Sequence, residues 1–289
     1  MGTSSVPVLI LAGGYGTRIS EESQFKPKPM IEIGGIPILV HIMRSYYAQG
    51  FTDFVICAGY KAVEIKKYFM YYQALHNDLD IDHRSSFDES WKFSEQSATQ
   101  EKWRVRVLDT GLNTMTGGRV AHALKVISRD THFDNFALTY GDGLSDVDLR
   151  KEYAFHLAHG GLGTVLGVRN HARYGELSTN ANGKVNAFLE KPEEKQGFIN
   201  GGFFFFRRDF EEYLDGTPGQ ILENQPLGKL AADGQLHFYQ HLGFWHAMDT
   251  LRDRTTLEKM WAESNAPWTL RSSAAAVTQA ASLILEPRA

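Results

Sequence analysis

Val8-Leu9-Ile10-Leu11, running on into Ala12-Gly13-Gly14-Tyr15-Gly16-Thr17-Arg18, reads as an apolar strand that ends in a glycine-rich turn. Glycine lets the backbone bend sharply and bring its N–H groups against an anion with no Cβ in the way. Arg18 closes the turn, and Lys26-Pro27-Lys28-Pro29-Met30 adds two lysines on a backbone that its prolines hold stiff and extended. Cations beside exposed N–H groups are how a protein grips a polyphosphate. Two better-known phosphate signatures fail here. A P-loop needs four residues between its glycines and then Gly-Lys-Ser/Thr, and the dinucleotide fingerprint needs a third glycine where Ile19 stands.

Working outward, short β-rich runs alternate with amphipathic segments. Residues 8–11, 54–58, 105–108, 136–140 and 164–168 read as strands, and residues 37–48, 63–72, 118–128 and 149–159 as helices. The alternation predicts an α/β fold with a mainly parallel central sheet flanked by helices. Ligands of such sheets bind beyond the carboxyl ends of the strands, where the glycine turn after Leu11 and Gly141-Asp142 after Tyr140 both fall. Between Gln73 and Trp103 the chain turns polar and irregular, the pattern of a loop or hairpin excursion. Helices are expected at 226–232 and 250–262 with a strand at 236–239, and the Ser- and Ala-rich residues 269–289 read as a weakly ordered tail.

The 289 residues, 43% of them hydrophobic, are enough for one large α/β domain. A net charge of −4 offers no general attraction to nucleic acid, and the basic residues sit in short blocks, as suits a small anionic ligand. The one cysteine, Cys57, excludes an intrachain disulfide and falls in a buried strand. No apolar run approaches the ~20 residues that span a membrane, so a cytoplasmic protein without a membrane partner is expected. The eleven histidines show no zinc-ligand spacing.

Taken together, Gly13 to Arg18, Ser20-Glu21-Glu22, Lys26 to Met30, Met115-Thr116-Gly117-Gly118-Arg119, Thr139-Tyr140-Gly141-Asp142-Gly143, Glu190-Lys191-Pro192, Ile199-Asn200-Gly201-Gly202-Phe203-Phe204 and Gly243-Phe244-Trp245 with Met248-Asp249-Thr250 resemble the sugar 1-phosphate nucleotidyltransferases. Within that family they are most similar to the glucose-1-phosphate cytidylyltransferases. The resemblance spans residues 6–268. It implies a Rossmann-like nucleotidyltransferase core over residues 6–224, carrying the excursion at 73–103 and a smaller sugar-side sheet. Residues 225–268 would bring C-terminal helices that pack on the core and complete it. It also implies CTP and glucose 1-phosphate as substrates, Mg2+ as cofactor, a homo-oligomer, and CDP-glucose as a product that feeds surface polysaccharide.

The reaction implied is attack by a sugar phosphate oxygen on the α-phosphorus of the triphosphate, with pyrophosphate leaving in line. Its nucleophile is already an anion, so positioning and charge neutralisation replace a general base. Arg18 and Lys28 are the catalytic candidates by resemblance, Lys28 on the α-phosphate and Arg18 on the departing phosphates, with Lys26 as runner-up. Leu11, Gly13, Gly14, Gly16, Thr17, Thr116, Gly117, Arg119 and Asp142 complete the nucleotide set. Backbone groups near Gly14 and Thr116 to Gly118 would read cytosine, with Arg119 donating in the plane of the base or to the nucleotide. Gly175, Glu190, Lys191, Asn200 and Gly201 are assigned to the sugar phosphate.

Asp142 and Asp249 are the metal candidates, because magnesium takes one or two carboxylates beside phosphate oxygens. Each has a plainer alternative: Asp142 as a turn residue that caps a helix, and Asp249 as the N-cap of the helix that follows. Asp146-Val147-Asp148 mimics a glycosyltransferase metal motif but reads better as a solvated helix start. Other functions stay open on sequence: another nucleoside triphosphate or sugar 1-phosphate, or a non-catalytic sugar-nucleotide-binding regulator on the same fold.

Overall fold

A computed structural model describes residues 3–82, 84, 91–93, 101–169, 176–179, 185–189 and 197–269. Every residue of the first strand, β1 (Val8–Ala12), is buried. A strand with no exposed face belongs in the middle of a sheet covered on both sides. β1 indeed pairs in parallel with β2 (Asp53–Ala58) on one edge and β4 (Asn135–Tyr140) on the other. β3 (Arg104–Asp109) extends the sheet beyond β2, and β6 (Phe198–Arg207), β5 (Gly163–Arg169) and β7 (Leu236–His241) extend it beyond β4. Among the described residues the order is therefore β7-β5-β6-β4-β1-β2-β3, seven strands in all. Only β6 runs antiparallel to both of its neighbours.

Helices make the parallel crossovers: α1 (Ile38–Tyr47), α2 (Ala62–Met70), α3 (Thr116–Ile127) and α4 (Leu149–His159). Alternation along the strands divides the core between the two faces. Ile10, Ile56, Phe203 and Phe205 pack with α1, whereas Leu9, Val55, Cys57, Phe204 and Phe206 pack with Val120, Leu124 and Ile127 of α3. Each fully buried phenylalanine contributes roughly 2 kcal/mol of hydrophobic stabilisation. The four in succession are what make β6 a central strand.

Of the loop or hairpin expected of the polar excursion, a hairpin pairing is present, Leu79–Ile81 with Trp91–Phe93. Glu176–Thr179 pairs with Val185–Leu189 as a small separate antiparallel sheet. Downstream, α5 (Gln225–Ala232) leads to β7, and Trp245–Ala247 then pairs with Gly143–Ser145. α6 (Leu251–Ala262) is the last described helix, followed by the buried Trp268, whose indole N–H donates to His41 on α1 over 3.2 Å. Residues 270–289 lie outside the described residues.

After β1 the chain moves one way to β2 and β3, then returns to place β4 on the other side. The reversal opens a crevice outside the carboxyl ends of β1 and β4. Both sequence motifs that announce a ligand end there.

Candidate active site

The glycine turn after β1, the segment entering α3, the Gly141-Asp142 turn after β4, and Trp245 with Asp249 surround a cavity of about 570 Å³. That volume suits a nucleotide-sized ligand. Arg119, in the first turn of α3, is buried beneath the glycine turn. Its Nη1 donates to Ala58 O (3.1 Å), Thr110 Oγ1 (2.6 Å) and Gly111 O (2.8 Å), and its Nη2 to Gly13 O (3.0 Å) and Leu112 O (3.3 Å). A Cβ on Gly13 would lie 2.2 Å from this guanidinium, so glycine is required for the arginine to pass. Gly16 adopts φ +65°, and a side chain there would be strained and would press on Lys28. One arginine thus ties the ends of three loops together.

Lys28 stands opposite. Pro27 is extended, as expected, but Lys28–Met30 forms a single 3₁₀ turn rather than continuing the extended run. Lys28 Nζ lies 2.5 Å from Asp142 Oδ2 and 2.8 Å from Asp249 Oδ1, and Arg18 Nη1 lies 3.0 Å from Asp249 Oδ2. Burial pulls the Lys28 pKa down, but the two carboxylates outweigh it and hold the ammonium above the ordinary lysine value. It is a fixed cation at neutral pH and cannot serve as a base. Lys26 pairs with Glu32 instead.

The plainer readings of the two aspartates are settled by neighbours. Thr250, one residue after Asp249, caps α6 in a reciprocal box: Asp253 N donates to Thr250 Oγ1 (3.2 Å) and Thr250 N to Asp253 Oδ2 (2.8 Å). The Asp249 carboxylate is left to the crevice, and that of Asp142 turns to Lys28 rather than to a helix. Asp148 caps α4 by accepting from Lys151 N over 3.1 Å, and Asp146 lies 3.0 Å from His241 Nε2. Neither lines the cavity, as the helix-start reading requires.

Of the residues expected from sequence, Leu11, Gly13, Gly14, Gly16, Thr17, Arg18, Lys28, Thr116, Arg119, Asp142 and Asp249 all border this cavity. Gly117 does not; it is packed against Gln220, whose carbonyl takes the N–H groups of Gly117 (2.9 Å) and Gly118 (3.3 Å). Those two donors are therefore engaged within the fold. Both terminal nitrogens of Arg119 are also occupied by protein oxygens, so its geometry is that of a residue that positions the loops. Asn200 reaches the cavity wall through Tyr140 (Nδ2 to Oη, 3.2 Å), and Gly201 through its carbonyl, which accepts from Trp245 Nε1 over 2.7 Å. Gly175, Glu190 and Lys191 lie outside the described residues. Tyr140 and Trp245 line the cavity without having been expected there. Their signal was adjacency to Gly141-Asp142 and to Asp249, but an aromatic residue at a strand end reads equally well as core.

A divalent cation fits this arrangement. Asp142 and Asp249 each bring a carboxylate oxygen to within 2.8 Å of one shared cation, the Lys28 ammonium. Two convergent hard oxygens beside space for phosphate are the donor set that magnesium uses.

A nucleotidyl transferase family model matches residues 7–218. The glucose-1-phosphate cytidylyltransferase of Salmonella typhimurium is 41% identical over 260 residues, covering 90% of this chain and 97% of the relative. A probable glucose-1-phosphate cytidylyltransferase of Bacillus subtilis is 38% identical over 260 residues, covering 90% and 98%. In fold, the chain is similar to HddC from Yersinia pseudotuberculosis crystallised with GMP-PN: TM-score 0.60, 21% identity, 89% of this chain and 99% of that one.

Proposed function

The chain belongs to the nucleotidyl transferase family, among its glucose-1-phosphate cytidylyltransferases, and from that premise we propose that it transfers a cytidylyl group from CTP to α-D-glucose 1-phosphate. The products are CDP-glucose and pyrophosphate. The observation that carries the chemistry is the convergence of Lys28, Arg18, Asp142 and Asp249 at the mouth of the glycine turn.

In the proposed step a phosphate oxygen of glucose 1-phosphate forms a bond to the α-phosphorus of CTP, and the bond from that phosphorus to the oxygen bridging to the β-phosphate breaks. Pyrophosphate carries away the electron pair, and no protein group has to accept a proton. The part-buried, charged Lys28 stabilises the negative charge that builds at the α-phosphate, and the more exposed Arg18 takes the departing phosphates. Asp142 and Asp249 would hold magnesium, which supplies charge neutralisation to the phosphate oxygens when bound. Glu190 and Lys191 retain the sugar-phosphate role that the resemblance assigns them, with Asn200 beside Tyr140 on the same side.

No helix among the described residues is long and apolar enough to cross a membrane. A cytoplasmic location accords with an intracellular nucleotide as substrate. A homo-oligomer and a place upstream of surface polysaccharide follow from the resemblance, and light scattering on the purified protein tests the first of these.

Phosphorus NMR of the protein with CTP, glucose 1-phosphate and magnesium should show CDP-glucose and pyrophosphate appearing in equal amounts. Pyrophosphate without CDP-glucose, or neither product, would overturn the reading.

A further inference from the structure

Two hydroxyls on the cavity wall converge on one carboxylate outside the cavity lining. Tyr140, the last residue of β4, donates its hydroxyl to Glu223 Oε1 over 2.5 Å, and Thr116, the first residue of α3, donates to Glu223 Oε2 over 2.7 Å. Tyr140 also receives the side-chain amide of Asn200 over 3.2 Å, and the Asn200 carbonyl oxygen is fixed by Gly202 N at 2.8 Å. On the other side Thr116 Oγ1 accepts from Leu222 N at 2.9 Å, beside the Glu223 that it holds. The result is a continuous chain, Asn200 to Tyr140 to Glu223 to Thr116, that runs from the sugar side of the crevice to its nucleotide side. Thr116 and Tyr140 border the cavity; Glu223 does not.

Resting on the function proposed above, we propose that Glu223 is a positioning residue that sets both substrate sites at once, through Thr116 toward the nucleotide and through Tyr140 and Asn200 toward the sugar phosphate. Glu223 is itself solvent-exposed and is not among the residues that line the cavity, so it acts through its two hydroxyl partners. Its carboxylate is suited to the task because it is an acceptor at both oxygens and can hold two hydroxyls in one plane. Hydrogen bonds to a charged partner are also the stronger kind.

The test is initial-rate kinetics with CTP and glucose 1-phosphate varied in turn. Glu223→Ala should raise the KM of both substrates about tenfold, the loss expected for one charge-assisted hydrogen bond per arm, while kcat stays within about threefold. Thr116→Val should raise the KM of CTP alone, and Asn200→Ala that of glucose 1-phosphate alone. Glu223→Gln should recover most of the loss, because its carbonyl accepts from Tyr140 and its amide can donate to Thr116. Tyr140→Phe, which keeps the ring packing, should reproduce only the sugar-phosphate half. A merely structural Glu223 would lower the melting temperature and the active fraction but leave both KM values in place. That result, or a shift in one KM only for Glu223→Ala, overturns the proposal. If wild-type protein makes no CDP-glucose from the two substrates, the functional reading fails first and this proposal falls with it.

Discussion

Glu152 is the most consequential charge in the fold that the crevice does not use. It lies on α4, fully buried, and neither carboxyl oxygen has a hydrogen-bond partner among the described residues. Burial alone pushes its pKa from the ordinary 4.5 up to about 8. At neutral pH the folded protein therefore keeps the carboxyl protonated, whereas the unfolded chain releases the proton. Well below pH 4.5 both states are protonated and the titration costs nothing. Above it, each pH unit favours the unfolded chain by about 1.4 kcal/mol until the folded carboxyl itself ionises near pH 8. The stability present in acid is thus lost as pH rises, by about 3 kcal/mol at pH 7 and about 4 kcal/mol at pH 8. Glu152→Gln keeps the shape and removes the titration, and Glu152→Leu also removes the unpartnered polar atoms. Urea unfolding of wild type and both variants, at one protein concentration and at pH 5, 6, 7 and 8, reads the difference directly. The stability gap between Glu152→Gln and wild type should widen by roughly 3 kcal/mol between pH 5 and pH 8. Parallel pH profiles would refute the reasoning, because the penalty would then not reside in this carboxyl.

Lys28→Ala should fold normally yet lose roughly 100- to 1,000-fold in kcat, the usual loss when a preorganised charge at the reacting phosphate is removed; circular dichroism with single-turnover rates checks both halves. Arg119→Ala leaves five protein oxygens without their shared donor, so it should cost about 3 kcal/mol of stability and raise the CTP KM at least tenfold. An unchanged melting temperature and CTP KM would dismiss it as the tie between the loops. Asp249→Asn should raise the magnesium concentration needed for half-maximal rate while leaving α6 intact, because Thr250 makes the cap; a metal titration with the melting temperature as control decides the point.

The strand-turn at Val8 to Arg18, the lysine block and Gly141-Asp142 could be read from residues because each signal is local: an apolar run, glycines where the backbone must bend, cations in short succession. The fold then brings them together as an α/β sheet dictates, at the carboxyl ends of β1 and β4. The direction of β6 was not legible. Phe203 to Phe206 announce a strand buried on both faces, and such a run looks the same whether its neighbours are parallel or antiparallel. Arg119 was legible as a cation near the site but not as a loop tie, because its acceptors are carbonyls from residues 13, 58, 111 and 112, distant in sequence or in an irregular loop. Glu223 gave no local sign at all; its meaning arises only when residues 116, 140 and 200 are folded against it. The share of the aspartates between cap and crevice was open in sequence and was decided by Thr250 and Asp148, whose side chains take up the capping.

The most direct measurement offers the protein an equimolar mixture of CTP, UTP, dTTP, ATP and GTP with glucose 1-phosphate and magnesium, and identifies the sugar nucleotides formed by mass spectrometry. CDP-glucose should dominate, with pyrophosphate released in equal amount. Predominance of another nucleoside diphosphate glucose, or no sugar nucleotide from any triphosphate, would contradict cytidylyl transfer to glucose 1-phosphate.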